Sequence, residues 1–150
     1  MTVTAVDTSV LVAALLAWHE SHQPARDSLI DALGGVLVLP APALAEAYSV
    51  MTRLPAPHRV APVDACELLS GSFEQRSKLV SLTEKETWRF LHESASRGIA
   101  GGSIYDALIL ACARKGGAQR VLTLDRRDFL RLKPAEIEVV VPGQTQRSPQ

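Results

Sequence analysis

Four carboxylates in this sequence stand where they could act together on one ion. Each lies beside or within an apolar segment, and they are Asp7, Glu46, Asp106 and Asp125. If the four converge, their mutual repulsion disfavours an empty site. A hard divalent cation such as Mg²⁺ or Mn²⁺ would resolve that conflict, because it prefers oxygen ligands and needs only roughly one to three carboxylates. The acids therefore predict a metal-binding site.

Each acid is also compatible with an ordinary structural role. Asp7 could cap the first helix, and Glu46 could lie on a solvated helix face. Asp106 follows Ser103 at capping-box spacing, near a positive helix terminus. Asp125 begins the segment DRRD, which resembles an Asp-started turn or cap. Because the acids are far apart in the chain, their spacing alone leaves both interpretations open.

The elements around the acids alternate between strands and helices. The predicted strands are Val3–Val6, Val36–Pro40, KLVSL, RVLTL and IEVVV, and six or seven helices lie between them. This alternation predicts an α/β sandwich with a mainly parallel sheet. Ligands of such sheets bind beyond the carboxyl ends of the strands. Asp7 and Asp125 follow two of these ends, which places the predicted site at that edge.

Cap and break signals set the expected helix boundaries. Ser9 or Thr8 is expected to cap a first helix that begins near Val10. Pro24 is expected to break the segment WHESHQPARDSLIDALGG. In the segment LTEKE, Thr83 and the glutamate three positions later fit a capping box.

Composition places the chain among globular proteins with one core. It has 150 residues, of which 47% are hydrophobic and 21% charged, and we expect a single domain over 1–143 with a polar, flexible tail over 144–150. The sequence contains neither an apolar run of roughly 18 residues nor a signal peptide, so a cytoplasmic location is expected. Cys66 and Cys112 are expected to be reduced core thiols.

The four acidic segments together resemble a known family. VDTSVLVAAL, LAEAYSVMTRL, YDALILACA and VLTLDRRDF are similar to the motifs of the PIN-domain ribonucleases, and in particular of the VapC toxins of bacterial type II toxin–antitoxin systems. The likeness runs from Val3 to Val141. It implies a three-layer α/β/α sandwich with a central, mainly parallel, five-stranded sheet.

The resemblance also implies an activity. The chain would be a metal-dependent endoribonuclease, the toxin of a VapBC-type system, which hydrolyses RNA phosphodiesters and inhibits translation with Mg²⁺ or Mn²⁺. Ser9 and Thr123 would support the acids, while Asp128 is expected in a turn or cap. The residues expected to be both catalytic and metal-binding are Asp7, Glu46, Asp106 and Asp125. Glu46 or Asp125 would orient the attacking water.

The partners expected from the resemblance are an RNA substrate, a cognate VapB-like antitoxin and a second copy of the chain in a homodimer. Residues 1–75 carry 3 basic and 8 acidic side chains, whereas residues 76–150 carry 13 and 8. A basic surface beside an acidic site can hold a polyanion, and Arg114, Arg126 and Arg127 are the predicted phosphate contacts. An apolar groove for the antitoxin is expected around Tyr48, Met51 and Leu54.

Two other functions are compatible with acids at strand ends. One is a phosphoryl-transfer domain of the haloacid dehalogenase or receiver type. DTS lacks the second Asp of a DxD nucleophile motif, and no adjacent acidic pair follows the first strand, which disfavours this class. The other is a catalytically inactive PIN-like binding module, which an RNA cleavage assay distinguishes from the enzyme.

Overall fold

Five parallel strands form one sheet flanked by helices in the computed structural model, which describes residues 1–144. The strands are β1 (Val3–Val6), β2 (Val36–Pro40), β3 (Lys78–Val80), β4 (Arg120–Leu122) and β5 (Glu138–Val140). Their order across the sheet is β3-β2-β1-β4-β5, and every neighbouring pair is parallel. The predicted fold class is confirmed, and β1 is the central strand.

Seven helices connect the strands within residues 1–144. They are α1 (Thr8–Leu15), α2 (His22–Leu33), α3 (Ala41–Thr52), α4 (Pro62–Phe73), α5 (Glu84–Ser96), α6 (Ser103–Lys115) and α7 (Arg126–Arg131). None of the helices in this range is long and apolar enough to cross a membrane.

The core forms around β1 and β2, which are buried on both faces after the first residue of each, as central parallel strands require. Ala5 pairs with Val38 on one side and with Val121 on the other. Gly116 ends α6 against β2, where an added Cβ would lie 2.7 Å from a Val38 side-chain methyl group. The absence of a side chain at Gly116 therefore lets the end of α6 pack closely on the sheet.

Local caps differ in part from the sequence predictions. Helix α1 begins at Thr8 with Asp7 as its N-cap, so the predicted cap at Ser9 or Thr8 is wrong. Pro24 lies in the first turn of α2 and does not break it, because the amides of a first turn have no intrahelical acceptors. The predicted capping box at the start of α5 is confirmed, since Thr83 and Glu86 exchange both hydrogen bonds.

Cys112 is buried as predicted, but Cys66 is exposed on α4, so the expectation of two core thiols is half wrong. Apart from Gln144, the predicted polar tail over 144–150 lies outside the described residues. The single domain over 1–143 remains a prediction.

Candidate active site

Asp7 lies at the carboxyl end of the central strand and is 3% exposed. Its backbone amide donates to the carbonyl oxygen of Leu122 at 2.9 Å, which extends the pairing of β1 with β4 by one residue. Its Oδ1 accepts a hydrogen bond from the Thr8 amide at 2.8 Å. The structural role considered for Asp7, an N-cap of α1, is therefore present. It does not conflict with a role in a site, because a second carboxylate oxygen remains.

That second oxygen, Oδ2 of Asp7, accepts hydrogen bonds from two hydroxyls. Ser9 Oγ donates at 2.7 Å and Thr123 Oγ1 at 2.8 Å. The same two hydroxyls accept hydrogen bonds from the backbone amides of Leu124 at 3.0 Å and Asp125 at 2.9 Å. Ser9 and Thr123 therefore fix the Asp7 carboxylate and tie it to the turn that carries Asp125.

Burial raises the pKa of Asp7, and the negative charge of Glu46 raises it further. The hydrogen bonds from Ser9, Thr123 and Thr8 act in the opposite direction but do not cancel the effect of burial. An ionised Asp7 therefore carries an uncompensated cost in the folded protein. A cation at this edge of the sheet would remove that cost.

Asp106 lies in the first turn of α6, whose N-cap is Gly102. The predicted capping box is wrong, because Ser103 is already the first helical residue and no side-chain cap bond forms there within the described part of the chain. Burial and then the charge of Asp7 raise the pKa of Asp106 to about 6, with smaller contributions from three further acids, which are Asp125, Asp128 and Glu46. The carboxylate of Asp106 therefore lies within electrostatic range of the other acids.

Asp125 occupies the N-cap position of α7, but its side chain makes no cap hydrogen bond within residues 1–144. Partial burial, followed by the charges of Asp7 and Asp128, raises its pKa. Asp128 is the acid that sequence reasoning underrated. It lies in the first turn of α7 as expected, yet its charge acts on both Asp106 and Asp125. The repeated acid in DRRD was the available signal.

Glu46 is exposed on α3, in agreement with the solvated helix face considered for it. Its Oε2 nevertheless accepts a hydrogen bond from Thr8 Oγ1 at 3.3 Å, beside Asp7. The structure therefore brings all four predicted acids to one edge of the sheet, where their charges influence one another.

The donor set suits a hard divalent cation, because every candidate ligand is a carboxylate oxygen. Across residues 1–144, no three His, Cys, Asp or Glu side chains lie close enough together to form a preassembled cage for a metal ion. Mg²⁺ is typically bound through one or two carboxylates and keeps several waters. The loose spacing and the raised pKa of the aspartates are thus compatible with a hydrated ion.

Comparison with known proteins identifies the family. The sequence matches the PIN domain over residues 4–133. The chain belongs to the PIN domain family. Ribonuclease VapC40 of Mycobacterium tuberculosis is 38% identical over 135 residues, which are 90% of this chain and 96% of the relative. Ribonuclease VapC27 of the same species is 37% identical over 143 residues, covering 91% of this chain and 95% of the relative.

A solved structure shares the fold of this PIN domain. The crystal structure of VapBC2 from Rickettsia felis, bound to a DNA fragment from their promoter, superimposes with a TM-score of 0.65 and 18% identity. The match covers 93% of this chain and 99% of that chain.

Two of the predicted basic contacts are next to the acids of the PIN domain. Arg126 and Arg127 begin α7 directly after Asp125, and both are exposed. Arg114 lies in the last turn of α6, so the helical rise places it about 12 Å along the axis from Asp106. The arginines of α7 are therefore the better placed to meet a polyanion held at the acids.

The predicted apolar groove is only partly correct. Met51 is fully buried in the core, so it cannot line an exposed surface. Tyr48 instead faces a cleft of about 490 Å³ between α3, α4 and the edge strand β3. The cleft is mostly apolar, and Leu79 at its edge is 59% exposed.

Proposed function

We propose that this PIN domain is a metal-dependent endoribonuclease and the toxin of a VapBC-type toxin–antitoxin system, which inhibits translation by hydrolysing RNA phosphodiesters. The observation that carries the proposal is the convergence of Asp7, Asp106 and Asp125 at the end of the central strand, where burial raises the pKa of each and the charge of Asp7 raises the pKa of the other two further. The names of two relatives that span nearly the whole chain describe ribonucleases.

The four acids would hold Mg²⁺ or Mn²⁺. When bound, the ion supplies the positive charge that activates a water and offsets charge on the phosphoryl oxygens. Asp7 is held by Ser9 and Thr123 in one orientation. Glu46 and Asp125 are exposed, so either could accept the proton of the attacking water.

The RNA backbone would be held by Arg126 and Arg127. Both side chains are exposed at the start of α7, one and two residues after Asp125. Guanidinium groups bind phosphate oxygens in bidentate geometry. Their positive charge also reduces the repulsion between the acids and the RNA phosphates. The basic second half of the chain, with 13 basic and 8 acidic residues over 76–150, supports this assignment.

The decisive experiment is cleavage of RNA by the purified, antitoxin-free protein in Mg²⁺, in Mn²⁺ and in EDTA. We expect cleavage in the presence of either ion and none in EDTA. Water attack with departure of the 3′ oxygen leaves a 5′-phosphate and a 3′-hydroxyl, and ligation-based sequencing of the ends identifies both. Cyclic 2′,3′-phosphate ends would indicate attack by the RNA 2′-hydroxyl and would contradict the proposal.

A pair of variants distinguishes RNA cleavage by this site from cleavage by contaminating nucleases. Asp106→Asn removes one of the converging carboxylates, whereas Asp64→Asn removes an exposed acid from the first turn of α4 that is not one of the four site acids. Only the first should abolish cleavage. Cleavage that persists in EDTA or in Asp106→Asn refutes the assignment, and no cleavage by the wild-type protein in either ion favours the inactive binding module.

A VapB-like antitoxin would silence the enzyme by covering helices near the site, and the toxin itself would form a homodimer. The apolar cleft between α3 and α4 is the surface that fits an apolar segment of the antitoxin. Leu79→Glu should weaken inhibition by the antitoxin, whereas Ile30→Glu, at an exposed position on α2, should not. Equal inhibition of both variants would place the antitoxin elsewhere. Light scattering of the free protein tests the homodimer.

A further inference from the structure

Thr8 contacts two of the acids at once. It is the first residue of α1 and is 5% exposed. Its backbone amide donates to Asp7 Oδ1 at 2.8 Å, and its side-chain Oγ1 donates to Glu46 Oε2 at 3.3 Å. A single buried residue therefore links the acid on the central strand to the acid on α3.

The hydroxyl of Thr8 differs in its role from the other two hydroxyls of the site. Ser9 and Thr123 both donate to Asp7, and both accept from the turn after β4. Thr8 instead donates to Glu46, and within residues 1–144 no other group donates a hydrogen bond to that carboxylate. Without this bond, Glu46 would be an exposed, flexible side chain with many accessible rotamers.

We propose that Thr8 is a positioning residue, whose buried hydroxyl holds the Glu46 carboxylate beside Asp7 so that both acids meet a divalent cation together. The inference rests on the metal site of the proposed function. Thr8 does not contact the ion or the RNA in this assignment. It reduces the conformational freedom that Glu46 would otherwise lose when the ion binds, and preorganisation of this kind appears as tighter binding.

Two substitutions of Thr8 distinguish the effect of losing its hydrogen bond to Glu46 from the effect of changing its packing. Thr8→Val keeps the branched shape and removes the donor, whereas Thr8→Ser keeps the donor and removes a methyl group. A matched control is Thr4→Val, because Thr4 is also fully buried, on β1, and its Oγ1 accepts from Arg120 Nε at 2.8 Å. That substitution removes a buried hydroxyl from the strand that precedes Asp7, and it removes no hydrogen bond to any of the four acids.

The measurement is Mn²⁺ affinity of the RNA-free protein, from the electron paramagnetic resonance signal of the unbound ion. We expect Thr8→Val to weaken affinity roughly 3- to 10-fold, the effect of losing one hydrogen bond. Thr8→Ser and Thr4→Val should remain within about 2-fold of the wild type, since neither removes a donor to the site. In cleavage assays, Thr8→Val should need more Mn²⁺ for half-maximal rate yet approach the wild-type rate at saturation.

A double-mutant cycle with Glu46→Gln shows whether Thr8 acts through Glu46. In that background, Thr8→Val should cause little further loss of affinity, because the charged acceptor is already gone. The inference is overturned if Thr8→Val binds Mn²⁺ like the wild type, if Thr8→Ser is as weak as Thr8→Val, or if the loss is equally large beside Glu46→Gln. Should Thr8→Val not fold, Thr8→Ala takes its place in the same comparisons.

Failure of this inference is distinguishable from failure of the proposed function. If the wild-type protein cleaves RNA only with Mg²⁺ or Mn²⁺ while Thr8→Val keeps full Mn²⁺ affinity, only the role of Thr8 is refuted. If the wild-type protein binds no Mn²⁺, the role of Thr8 is refuted together with the metal site.

Discussion

Replacing Asp106 by asparagine should stabilise the fold at pH 8 while it abolishes RNA cleavage. Burial, together with the charges of Asp7 and other acids, raises the pKa of Asp106 from 3.8 to about 6. The folded state therefore binds the proton more tightly than the unfolded chain does. Stability is highest when the group is protonated in both states, and it falls as pH rises from about 4 to 6. Above that window, the ionised carboxylate costs free energy that asparagine does not.

The size of the gain follows from the shift. A change of about 2 pKa units at 1.36 kcal/mol per unit gives an upper bound of about 3 kcal/mol. The side chain of Asp106 is only partly buried, so solvent and salt screening reduce this to about 1.5 kcal/mol. The substitution also removes a negative charge from the first turn of a helix, which lowers the gain in the free energy of unfolding by roughly 0.5 kcal/mol. The net gain in the free energy of unfolding is about 1 kcal/mol, or a rise in Tm of about 2–4 °C.

Urea unfolding in EDTA at pH 8 and at pH 4 measures the effect, with Asp64→Asn as the control. Asp64 also lies in the first turn of a helix, but it is exposed on α4, so its substitution should cost a few tenths of a kcal/mol at pH 8. Mg²⁺ should narrow the gap between the wild type and Asp106→Asn. If Asp106→Asn is no more stable than the wild type at pH 8, or is stabilised equally at both pH values, the electrostatic reasoning is wrong.

Three further predictions test the RNA surface and the fold. The double charge reversal Arg126→Glu and Arg127→Glu should weaken RNA binding. It should also lower the slope of log affinity against log salt concentration by about one unit per lost phosphate contact. An unchanged slope in filter-binding measurements would contradict the assignment of these contacts. Thr83→Ala removes the cap hydrogen bond at the start of α5 and should cost about 1 kcal/mol in urea unfolding, whereas Thr83→Ser should be nearly neutral. Gly35→Ala places a Cβ against the carbonyl oxygen of Thr2 and should cost about 1–3 kcal/mol; unchanged unfolding would show that the N-terminal segment moves freely.

The strands nearest the site were predictable because their residues leave little choice. Val36–Pro40 is entirely apolar, Val3–Val6 is apolar except for the β-branched Thr4, and the structure has strands with these same bounds. Acids directly after such runs lie at the carboxyl edge of a parallel sheet, so the position of Asp7 followed from the strand alone. Asp106 could not be placed in this way, because its approach to Asp7 depends on how α6 packs against the sheet.

The choice of helix cap was not predictable from local sequence. Asp7, Thr8 and Ser9 are all good N-cap residues, so the propensity of each type does not decide between them. The structure decides through contacts distant in sequence, because the Ser9 hydroxyl bonds to Leu124 and the Thr8 hydroxyl to Glu46. Only with both hydroxyls engaged elsewhere does Asp7 remain as the cap.

Which side chains of α3 are buried could not be predicted from the sequence, for a different reason. An alanine-rich helix has a weak contrast between its faces, so the periodicity does not show which residues point inward. Met51 was expected beside Tyr48 in an exposed groove, yet it is fully buried, while Tyr48 is 39% exposed. Packing of α3 against its neighbours sets this rotation.

The hydrogen bond from Thr123 to Asp7 joins residues 116 positions apart. Protein synthesis produces Asp7 before β4, the turn after it and Asp125. A nascent chain that stops before β4 has an open edge beside β1 and lacks the partners that orient its first acid. Premature termination before β4, or proteolytic removal of β4 and the turn after it, should therefore leave a fragment in which Asp7 is not held in place, so that the four acids can converge only once this later segment has been synthesised.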